Sequence, residues 1–254
     1  MSSVRRNMRK ALYVLLTAAL VVSFAFILVA CDKDTTETFE MTSDDIAQLR
    51  TMVSSTRNST SFTAEVNTET ETSGGTVRTT KTVTIYSNGA LQAEITTTAA
   101  DGSVTREVIY ANSSNYAHAV YENGASAPSE STFDAYSQLD GNLTYSAVLS
   151  QIGHAETITL LDNVISASSS YIISEQTGTR YLSDGNLTRT VYSLSYDNER
   201  GSTGTISVTA ANDAITQLEL NSGDTHTTVA YSYGTGEERL TINRADWFAE
   251  HPAP

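Results

Sequence analysis

The sequence predicts a mainly β protein with a few helices (α+β): a curved antiparallel sheet or unclosed β-barrel with helices packed on its concave face. Three observations predict it. Serine and threonine make up about three residues in ten beyond position 30, and the chain has 13 Tyr; β-branched and aromatic residues favour strands. Apolar residues recur with a period of two over residues 61–122 and again over 187–243, between turn residues. Only about two short segments carry a helical period, so a sheet of ten or so strands has little helix to cover it and must protect its edges by curving.

The chain opens on a basic, polar stretch (Arg5, Arg6, Arg9, Lys10) followed by an uncharged run over residues 11–30, long enough to cross a bilayer. That run ends Leu28-Val29-Ala30-Cys31. A small residue before the cut favours a cleaved signal peptide over residues 1–30, an uncleaved signal anchor being the alternative. These four residues resemble the lipobox of bacterial lipoproteins, with an aliphatic residue, a small residue and the cysteine that becomes the new N-terminus. The resemblance implies that Cys31 carries acyl chains, including palmitate-class chains, and that the domain is held on the extracytoplasmic face of the cell membrane. Two or more chains anchor durably where one is marginal. In enterobacterial lipoproteins an aspartate in the place of Asp32 marks retention at the inner membrane. Arg5-Arg6 is similar to a twin-arginine signal, but the following residues fit it poorly and ordinary secretion is expected. Residues 31–41 are acidic and lack an apolar period, which reads as a lipidated, flexible linker.

Residues 42–254 read as a single β-rich domain. Thr42 to Asp45 supply a cap and acids for a first helical turn, and Ile46, Leu49, Met52 and Val53 continue at helical spacing to about Arg57. From Ser61 the turns set the register. Ser87-Asn88-Gly89 as a three-residue loop with Gly89 left-handed places Ile85 opposite Leu91 and Val83 opposite Ala93. Asp101-Gly102 as a two-residue turn places Ile95 opposite Val108, Ala93 opposite Tyr110 and Arg106 opposite Thr97. After Asn112, a three-residue loop brings Tyr116 to Tyr110 and His118 to Val108; a four-residue loop turns Ala117, Ala119 and Tyr121 inward instead, and both remain open. Residues 123–162 lose the period, with a helical turn within 129–139 and a short helix from Leu143 to Ile152. The second meander has strands near 187–196, 203–210, 215–221, 226–233 and 238–243, with Leu218 opposite both Val229 and Val208. Residues 81–110 and 204–233 echo each other, by duplication or by convergence. Trp247-Phe248 is expected to dock on a sheet edge or close the barrel end. Asp-Gly-Asn-Leu-Thr occurs at 140–144 and 184–188 and reads as a turn with a capped start.

Charge narrows the function. Four of the 15 basic residues and none of the 29 acids precede position 31, which leaves residues 31–254 at −18. Such a surface repels phosphate backbones, so no nucleic-acid partner is expected. One cysteine allows no internal disulfide and no thiolate metal cage, and His118, His154, His226 and His251 lack ligand spacing; neither metal nor cofactor is expected. No G-x-S-x-G, H-E-x-x-H or phosphate loop is present, and the only lysines beyond the signal are Lys33 and Lys81. The chain reads as no enzyme, although a triad assembled from distant positions would leave no trace in sequence.

The order of lipidated cysteine, linker, amphipathic helix, meander, helical insertion and second meander, with the closing YSYG of residues 231–234, resembles the lipoprotein-carrier fold of LolA and LolB and of the mycobacterial LppX and LprG type. The resemblance implies an unclosed antiparallel barrel with a helical lid around an acyl-chain cavity, and no individual binding residue is carried over from it. The expected inner faces offer Val83, Ile85, Leu91, Ile95, Val108, His118, Leu218 and Val229 as cavity lining. The expected function is a monomeric membrane-anchored lipoprotein that binds a lipid or other hydrophobic ligand for transport or sensing at the envelope. The alternative is a surface or structural module that meets an envelope protein or glycan.

Overall fold

The computed structural model describes residues 34–138, 143–152, 155–166, 170–198, 203–236 and 238–254; the signal segment, Cys31 and His154 lie outside the described residues. In chain order the elements are β1 (Thr35–Glu40), α1 (Ser43–Arg57), β2 (Phe62–Thr72), β3 (Gly75–Ile85), β4 (Leu91–Thr98), β5 (Val104–Ala111), β6 (Asn115–Glu122), β7 (Glu130–Ala135) and a 3₁₀ turn at Tyr136–Gln138. There follow α2 (Tyr145–Ile152), α3 (Ala155–Ile165), β8 (Tyr171–Ser183), β9 (Asn186–Asn198), β10 (Thr203–Ala211), β11 (Ala214–Ser222), β12 (Thr225–Tyr233) and α4 (Arg244–Glu250). The 12 strands form one sheet in the order β1-β8-β9-β10-β11-β12-β2-β3-β4-β5-β6-β7, every pair antiparallel. The sheet does not close: β1 and β7 are its edges. Both edges carry acids (Glu37, Glu40, Glu130, Asp134), which oppose edge-to-edge pairing with another copy.

A single register row crosses all the strands on the helical face: Phe39, Gly178, Tyr192, Val208, Leu218, Val229, Val66, Lys81, Ile95, Glu107, Val120 and Glu130. Its uncharged part lies beneath α1 and α3. Leu49, Met52 and Val53 of α1 and Ile158, Leu161, Val164 and Ile165 of α3 close on Tyr192, Leu194, Ile206, Val208, Leu218 and Val229 in one buried cluster. Thr42 caps α1, its hydroxyl accepting from the Asp45 backbone N–H while Asp45 accepts from the Thr42 N–H at 2.8 Å. The Thr42 hydroxyl, donating to Asp45 Oδ2 at 2.7 Å, and then the Thr42 N–H hold the Asp45 carboxyl below its ordinary range against the opposing effect of burial. From β3 onward charged residues (Lys81, Glu107, Glu130) interrupt the row, and α2 covers only a satellite cluster of Val83, Leu91, Ala93, Ile109, Ala111 and Val148. Thr144 starts α2 as its sequence pattern predicts, accepting from Ala147 N–H at 3.2 Å.

The β3–β4 loop has the expected form: Val83 pairs with Ala93, Ile85 with Leu91, and Gly89 has φ 77°. The β4–β5 turn corrects the expectation. The loop is one residue longer, with Gly102 at φ 84° and Ala99 N–H donating to Ser103 O, so Ile95 pairs with Glu107, Ala93 with Ile109 and Arg106 with Thr96. Every face assignment in β5 therefore inverts. Alternation could not have detected this, because Val108, Ile109, Tyr110 and Ala111 are all buried. After β5 the four-residue loop is the one formed: Ala111 pairs with Tyr116 and Ile109 with His118.

Val108, Tyr110, Ala117, Ala119, Tyr121 and Phe133 thus form an apolar patch on the sheet face away from α1–α3, and α4 covers it with Trp247. Trp247-Phe248 docks by the edge strand β7, as expected of a bulky pair, Trp247 Nε1 donating to Ser131 Oγ at 3.2 Å. Three further expectations are corrected. Residues 238–243 form no strand, residues 35–40 are edge strand rather than flexible linker, and residues 171–183 are a long strand that the period of two did not reveal.

Candidate functional site

The eight residues expected to line a cavity do not come together. Val83 and Leu91 are fully buried under Val148 of α2, and Leu218 and Val229 lie fully buried in the main cluster; Ile85 and Ile95 are partly buried beside the α2 cluster. Val108 is on the opposite face beneath Trp247, the consequence of the longer β4–β5 loop. His118 does face the helical side, in the row of Ile109 and Thr132, where its Nε2 lies 2.9 Å from Glu107 Oε2. Arg106 lies away from that face, paired with Glu94 at 2.6 Å and set 5.0 Å from the Tyr121 ring centre.

Open space occurs elsewhere. A half-open cavity of about 200 Å³ lies between α1 and the ends of β9, β10 and β11, lined by Gln48, Met52, Leu187, Thr188, Arg189, Thr190, Tyr192, Ala210, Ala211, Asn212 and Asp213. Met52, Tyr192 and Ala210 are 3%, 3% and 6% exposed and give it a buried floor. Polar side chains from α1, β9 and the β10–β11 turn line it as well: Gln48 Nε2 donates to Asp213 Oδ1 at 3.2 Å and the Tyr192 hydroxyl donates to Gln48 Oε1 at 3.5 Å. Burial raises the Tyr192 pKa, so the phenol is neutral and serves as a donor. The backbone makes the rim. Asn212 and Asp213 at φ 51° and 58°, and Asp184 and Gly185 at φ 50° and 78°, turn the β10–β11 and β8–β9 hairpins tightly at the same end of the sheet.

One feature of this site escaped the sequence. The β8–β9 hairpin was hidden because a bulge between Ile173 and Glu175 breaks the alternation of β8, and a second lies between Tyr181 and Leu182 where the pairing runs to Arg189 and Leu187. The second Asp-Gly-Asn-Leu-Thr copy marks it, since its Asp184-Gly185 is the hairpin turn. Among the described residues no cluster of three or more His, Cys, Asp or Glu forms a metal site, and no described helix is long and apolar enough to cross a membrane.

No family model and no curated protein matches the chain. Among solved structures it is similar to LprF from Mycobacterium bovis, at 11% identity over 81% of this chain and 99% of that one, with a TM-score of 0.43. It is also similar to a DUF1329 family protein from Desulfovibrio piger (10% identity, 80% and 98% covered, TM-score 0.30). A third is a LolA superfamily protein from Nitrosomonas europaea (11% identity, 76% and 92% covered, TM-score 0.27).

Proposed function

We propose that the chain is a lipid-anchored protein of the extracytoplasmic membrane face that binds a lipid or another hydrophobic molecule as a monomer, with no covalent chemistry. The observation that carries this reading is the cavity between α1, β9, β10 and the β10–β11 turn, with its buried floor of Met52, Tyr192 and Ala210. Sites that enclose a whole drug-sized ligand measure about 300–1,000 Å³. At about 200 Å³ the cavity accommodates one end of an acyl chain or a small apolar molecule. A longer ligand requires α1 to lift from the sheet.

Ala210→Phe fills the cavity from its floor. The variant is expected to bind a fluorescent fatty acid at least tenfold more weakly, with the circular dichroism spectrum unchanged; undiminished binding would rule out the cavity as the binding site. A second reading, a surface module that meets an envelope protein or glycan, is favoured by the filled core under α1 and α3, where Leu49, Ile158, Leu161 and Leu218 are all at 0% exposure. It predicts no fatty acid uptake by the unaltered protein either.

A further inference from the structure

The chain enters the sheet close to its anchor. Four residues lead from Cys31 to Thr35, and at no more than about 3.6 Å each they span about 14 Å. Thr35 is already paired with Leu182, next to the β8–β9 turn. Whatever holds Cys31 therefore holds this hairpin within reach of the same surface.

The hairpin end differs from the rest of the acidic domain. Leu187, 58% exposed, pairs with the half-buried Leu182 on the helical side and lines the cavity. On the other side Arg189 stacks 4.2 Å from the Tyr181 ring centre, and it takes part in no ion pair among the described residues. Apolar side chains flanked by an aromatic ring and a cation suit the boundary between headgroups and acyl chains.

We propose that the β8–β9 hairpin rests on the bilayer, with Leu182 and Leu187 in the interfacial zone and Arg189 among headgroup phosphates, so that the cavity opens toward the membrane. This rests on the anchoring of Cys31 in the proposed function. Asp184 and Asp213 at the same end oppose adsorption by charge alone. The tether answers this by making the contact intramolecular, where a weak interaction suffices.

The other strongly exposed aliphatic side chain, Ile172 of β8, is an internal control. Ile172, 69% exposed, lies ten residues up the strand, about 30 Å from Leu182. The full chain, with its Cys31 sulfur blocked by lipid, is labelled with a fluorophore at Leu187→Cys or Ile172→Cys and reconstituted in vesicles of phosphatidylethanolamine and phosphatidylglycerol bearing brominated acyl chains. The expected result is quenching severalfold stronger at 187 than at 172. Equal quenching, or stronger quenching at 172, in a vesicle-bound chain overturns the orientation while leaving the anchor intact. A chain that floats free of vesicles with Cys31 unmodified by mass overturns the anchor, and the orientation with it.

Discussion

Trp247→Ala is expected to lower the unfolding free energy by about 3–5 kcal/mol, the usual range for truncating a buried tryptophan. Trp247 is 2% exposed and is the largest side chain over the patch of Val108, Tyr110, Ala117, Ala119 and Phe133. Its removal also leaves Ser131 Oγ without the indole donor and His251 without the ring 4.2 Å away. Denaturant unfolding followed by circular dichroism measures the change, and a loss under about 1 kcal/mol would mean that α4 covers nothing of consequence. The clamp carries a pH dependence. His251 lies 2.6 Å from the Tyr121 hydroxyl, and burial lowers its pKa from 6.5, Glu250 opposing and Arg106 reinforcing the shift. The folded state therefore binds protons less readily than the unfolded chain. This stability is present above pH 6.5 and is lost as the pH falls through the depressed value. His251→Gln should remove that part of the acid sensitivity.

Cys31→Ser is expected to abolish lipid-mediated attachment, releasing the protein or leaving it unprocessed, the largest functional effect expected. The substitution removes the one thiol in the chain, so no acyl chain can be attached to sulfur. In the described residues no helix can cross a membrane in its place, and residues 34–254 are strongly acidic. Fractionation of cells expressing each form should move the protein from the membrane pellet to the soluble fraction, or leave an unprocessed precursor of higher mass. Unchanged attachment with unchanged mass would contradict lipidation.

Most of the architecture was legible where one face of a strand is buried and the other wet. Leu218 opposite Val229 and Val83 opposite Ala93 follow from alternation and turn chemistry alone. Register failed in β5, where α2 covers one face and α4 the other, so that shifting the strand by one residue exchanges apolar for apolar. The edge strand β1 was hidden for a different reason. Thr-Thr-Glu-Thr-Phe-Glu needs only Phe39 to hold it, the ring lying over Gly178 where a Cβ would collide with it. An edge strand with a single apolar contact looks like a linker. The cavity was illegible because tertiary approach builds it from three elements: Met52 from α1, Leu187 and Tyr192 from β9 and Ala210 from β10, strands whose phase is shifted by bulges.

Native mass spectrometry of the full chain, expressed with its own signal and extracted from membranes in mild detergent, tests the central claim most directly. The expected species is a protein shortened by the first 30 residues, with diacylglyceryl mass on Cys31 and a further noncovalent adduct that organic extraction removes and identifies as hydrophobic. A bare chain of 27.3 kDa, with no adduct and no uptake of added fatty acid, would contradict it.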